Sequence, residues 1–100
     1  MKKELLHELY YRPEFRAMVA MSLAKEVAYL AGKETQTDEE QAIMAAYMAP
    51  TGSDIMIEKV CKFVIDDAAI TALGCYHELS DEIVGAAVTS VFNSKRKYLV

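Results

Sequence analysis

Apolar residues recur at steps of three and four along nearly the whole chain, the spacing that lines one face of an α-helix. No stretch alternates cleanly between apolar and polar, so β structure has little support. A first helix is predicted over 2–11, with Leu5, Leu6, Leu9 and Tyr10 on one side. It must stop near Arg12, because Pro13 disfavours helical geometry in the residue before it. Pro13 suits the first turn of a second helix, which runs to about Ala31 and stops at Gly32. Thr37 followed by Glu40 is a capping box that opens a third helix at Asp38, ended before Pro50. Ser53 is expected to cap a fourth helix running to about Leu73. Ser80 caps a fifth, with Asp81 and Glu82 in its first turn and Lys95–Lys97 in its last, matching the macrodipole at both ends. The expected fold is all-α: a single domain over 1–100, a compact bundle of about five helices, three long and two short.

The 13–31 helix carries the most specific pattern. Ala17, Ala20, Ala24, Ala28 and Ala31 form one continuous alanine stripe. Phe15, Met18, Val19, Leu23, Tyr29 and Leu30 cover much of the remaining circumference. A helix apolar on most sides is either central in its domain or shared with another chain. Small side chains let two helix axes approach closely. The stripe therefore either packs inside the bundle, against the fourth or fifth helix, or forms a two-fold interface between copies. Met44, Tyr47 and Met48 on the third helix extend the candidate apolar contact surface.

On the fourth helix, 100° per residue sets Asp67 among Met56, Val60, Phe63 and Val64. A carboxylate there needs a partner: Arg12, Arg16, a tyrosine hydroxyl or a helix N-terminus, or else a ligand in a groove. Asp67 is thus the candidate buried polar residue.

Composition narrows the class. The chain is 53% hydrophobic with 4 Gly and 2 Pro, which excludes a disordered or fibrous protein. The longest charge-free stretch, Gln41–Ser53, contains Pro50 and Gly52 and is too short to span a bilayer. Glu4, His7 and Glu8 interrupt what a secretory signal would need as an apolar run, so a cytoplasmic location is expected. The net charge of −4 is uneven: residues 33–82 carry eleven acids against three bases, and 83–100 carry Lys95, Arg96 and Lys97 with no acid. An acidic middle opposes a broad phosphate-binding face. Asp38, Glu39, Glu40, Asp81 and Glu82 are the acids expected to steer a basic partner.

Candidate chemistry is sparse. Glu4 and His7 have the spacing of a di-iron ligand pair, in one copy where two and further glutamates are required. Cys75, His77 and Glu78 lack the close cysteine pair of a structural zinc site. If one helix carries both, Cys61 and Cys75 lie too far apart to form a disulfide unless Gly74 breaks it sharply. No phosphate loop or hydrolase signature occurs, so neither an enzyme nor a cofactor is expected. A helix-turn-helix over 41–60 is disfavoured, since Asp54, Glu58 and Asp66 would face phosphate.

The function these features imply is non-catalytic: a small acidic helical inhibitor or adaptor, of bacterial or phage type, that binds another protein through an apolar helix face and can form a homodimer. The rival reading is a nucleic-acid-associated regulator using Lys2, Lys3, Lys95, Arg96 and Lys97. A metal or small-molecule pocket protein is the third.

Overall fold

The computed structural model describes residues 8–67, 70 and 80–100. Among them there is no strand, and the architecture is all-α as the periodicity predicts. After a helical turn at 8–11, the elements are α1 (Pro13–Ala31), α2 (Asp38–Met48), α3 (Gly52–Ile65), α4 (Asp81–Ser94) and α5 (Arg96–Leu99). No helix among the described residues is long and apolar enough to cross a membrane.

The longest element, α1, starts at Pro13 as expected, with Arg12 in extended geometry before it. Its apolar content offers two stripes, and bulk decides which is buried. Phe15, Val19, Leu23, Val27 and Leu30 turn inward, while Ala17, Ala24, Ala28 and Ala31 stand exposed and Ala20 is half-buried. The internal packing of the alanine stripe is therefore corrected. A buried Leu or Phe contributes about 1.5–3 kcal/mol, several times what an alanine methyl can offer. The inward stripe packs most extensively on α4, whose Val84, Val88 and Phe92 are fully buried, and then on α3 and α2.

The α2–α3 corner is very tight. A Cβ on Gly52 would lie 1.9 Å from the Ala46 carbonyl oxygen, so no side chain fits there. Thr51 takes the left-handed conformation, φ 59°, to turn the chain, and helix α3 begins at Gly52 rather than after a Ser53 cap. At its other end α3 stops at Ile65, short of the expected Leu73. Adjacent aspartates favour turns because their side chains compete for backbone N–H groups. Asp67 accordingly lies past the helix end, half-buried, with Oδ1 accepting the Ile70 N–H at 3.4 Å. It is not the buried carboxylate of the α3 face. Arg16, one of its expected partners, instead pairs with Glu58 and donates to the Tyr10 carbonyl oxygen.

The final helix is also interrupted. Lys95, at φ −118° and ψ 21°, breaks it, and α5 turns back onto α2, α3 and α4 with Leu99 buried. Lys95, Arg96 and Lys97 thus do not complement the dipole of one continuous helix.

Gly32 and Gly52 differ in consequence. A Cβ on Gly32 would make ordinary contacts, 3.6 Å or longer, and its φ is −82°. Gly32→Ala is expected to change stability by less than about 1 kcal/mol, on the favourable side. Gly52→Ala should cost about 1–3 kcal/mol or more, because backbone must move. Urea denaturation of both variants checks the contrast.

Candidate functional site

Two neighbouring features of α1 form the candidate site. The first is its outward side, where Ala17, Met21, Ala24 and Ala28 follow one another along the helix and are exposed, Met21 at 57%. Tyr29, 69% exposed, and Ala31 lie at its C-terminal end. Glu14 and Lys25 are the charges at its edge.

The second is a groove of about 250 Å³ between α1 and α4. Met18 and Met21 line one side, with Ser22 and Gly85 between the two helices. The helices approach closely there: a Cβ on Gly85 would touch Ser22 Oγ at 3.4 Å. Lys25, Glu26, Asp81 and Glu82 supply the charged lining. Thr89 Oγ1 donates to Glu26 Oε1 at 2.5 Å, holding that carboxylate across the groove. Asp81 and Glu82 are placed by the start of α4, where Ser80 Oγ accepts the Ile83 N–H and the exposed helix end favours negative charge. Three carboxylates and one ammonium leave the groove net negative.

The other sequence-predicted residues disperse. Met44 and Tyr47 lean against the core, whereas Met48 is 77% exposed at the end of α2. Asp38 and Glu39 are exposed in the first turn of α2. Glu40 is not a steering acid at all. It is the buried charged residue among those described, 2% exposed, and its oxygens are engaged within the chain. Oε1 accepts the Thr37 N–H at 2.9 Å, completing the capping box with the Glu40 N–H donated to Thr37 Oγ1. Oε2 accepts Lys33 Nζ at 2.7 Å and an Arg96 guanidinium N–H at 3.2 Å. The hydrogen bond from Lys33 lowers its pKa most; the Thr37 N–H and Arg96 add to this against burial, bringing it from 4.5 to about 2.

Cys61 is buried in the core, and burial pushes its thiol up to about 11, so it stays protonated at neutral pH. Among the described residues no group of three or more His, Cys, Asp or Glu could hold a metal ion. Glu4, His7, Cys75, His77 and the bases Lys2 and Lys3 lie outside the described residues. The groove residues Ser22 and Gly85 escaped the sequence reading, and Met18 was read only as part of the apolar cover of its helix. Gly85 was the available signal, since a glycine inside a helix marks a close approach. No known protein family, curated protein or solved structure matches this chain.

The Glu40 network predicts an acid response. Because the folded pKa lies below the unfolded one, its contribution is complete above pH 4.5 and lost as pH falls towards about 2. Glu40→Gln should lower the melting temperature at pH 7 by more than about 5 °C. The gap from wild type should then narrow between pH 5 and 2, as read by circular dichroism melts across that range.

Proposed function

We propose that this chain is a non-catalytic protein-binding module, an inhibitor or adaptor in kind, that docks a partner on the outward side of α1 and in the α1–α4 groove. The observation that carries this reading is the exposed run Ala17, Met21, Ala24 and Ala28 beside a groove with methionines on one side and acidic residues in its lining. A small-residue helix face admits a second helix closely, and Met side chains adapt to an inserted apolar group. The fitting partner is a helix with one apolar residue for the groove and Lys or Arg beside it. Asp81, Glu82 and Glu26 would then act chiefly on the association rate.

A second copy of the chain is also a fitting occupant of the outward side. Glu14 and Lys25 are eleven residues apart and fall about 20° apart around α1, on the same side of the exposed run. An antiparallel two-fold pair sets Glu14 of each copy beside Lys25 of the other.

Ala24→Glu puts a carboxylate in the middle of this surface without touching the buried stripe. Light scattering behind size exclusion is expected to give a dimeric wild type and a folded monomeric variant. If wild type is monomeric, self-pairing is excluded and affinity capture decides. A partner retained by wild type and lost by both Ala24→Glu and Met21→Glu supports the reading. Equal retention by all three, or no retained protein, overturns it.

A further inference from the structure

The short helix α5 builds a surface unlike the rest of this acidic chain. Phe63 of α3 and Tyr98 of α5 bring their rings to 5.9 Å, tilted 46° to each other. Lys95 Nζ lies 5.7 Å from both ring centroids, and Lys97 Nζ lies 5.0 Å from that of Tyr98. Tyr98 is half exposed, Lys97 is exposed and Phe63 and Lys95 are half-buried. Lys59 stands one turn before Phe63 on the same side of α3, half-buried. None of these three lysines is ion-paired among the described residues. Asp66 and Asp67, just past the end of α3, bound the cluster on that side. Helix α5 makes no contact with α1, and none of these five residues lines the α1–α4 groove.

We infer that Lys59, Lys95, Lys97, Phe63 and Tyr98 form a binding surface for a single-stranded nucleic acid. Lys95 and Lys97 lie over the rings, so a base stacks on Tyr98 as a lysine swings off its face to meet the adjoining phosphate. A cation–π contact is exchanged for the stronger base stack. An acidic peptide would use the lysines and leave the rings without a stacking partner. A duplex presents its bases edge-on in grooves, and no described helix offers a basic face to enter one: α3 also carries Asp54 and Glu58. A single strand uses both halves of the cluster, and it needs only a few phosphates neutralised.

The test is fluorescence anisotropy of a fluorescein-labelled oligo(dT) of about 15 nucleotides, long enough to exceed a small site. Binding is expected at low salt, with three lysines giving a slope of log affinity on log salt of about −2. Tyr98→Ala should weaken binding about 5–100-fold through lost stacking. Lys97→Glu should weaken it at least as much and flatten the salt slope. Both positions are exposed, and matching thermal melts establish that the variants are folded. No anisotropy change at low salt overturns the inference. So does binding that Tyr98→Ala leaves intact, or that polyglutamate or anionic phosphatidylserine vesicles compete for as well as unlabelled oligo(dT) does, because each leaves the rings without a role.

Discussion

A single carboxylate ties together three parts of this chain. Glu40 closes the capping box at the start of α2, anchors Lys33 from the connection after α1 and receives Arg96 from the first turn of α5. A buried charge is tolerable only when its lone pairs are occupied, and each of these donors occupies one. The requirement runs both ways. The helix breaks at Lys95, Arg96 beyond the break reaches Glu40, and Leu99 lies in the core. The turn of the last helix is thus coupled to the start of the second.

The division of α1 between a bulky inner stripe and a small outer one sets the rest of the surface. Phe15, Val19, Leu23, Val27 and Leu30 win the interior by area, and the alanines go outside by default. Because Gly85 lets α4 come close at Ser22, the two helices leave a shallow channel beside the exposed run rather than a filled seam. The proposed docking surface is therefore a by-product of how the core is packed, made of residues that the core did not need.

What the sequence disclosed followed the range of the interaction. The Thr37–Glu40 box was legible because both partners lie within one turn, and so was the Pro13 start of α1. The second half of the Glu40 network was not, since Arg96 stands 56 residues away and nothing local announces it. Periodicity revealed the alanine stripe but assigned no direction, as two apolar stripes fitted the same helix. Asp67 was misplaced by carrying helical geometry past Ile65, where two aspartates in succession already favoured a turn. Phe63 and Tyr98 meet only because α5 folds back, which no spacing rule foretells.

The separation of Glu40 from Arg96 has a temporal side. During synthesis Glu40 emerges with Thr37 and Lys33 long before Arg96 has been added to the chain. The nascent α2 therefore begins with its acid capped but incompletely neutralised, kept accessible to water. Only after Arg96 has been added can the carboxylate be sealed and Leu99 seated. The carboxylate that opens α2 is thus satisfied last, by a residue 56 positions further along the chain.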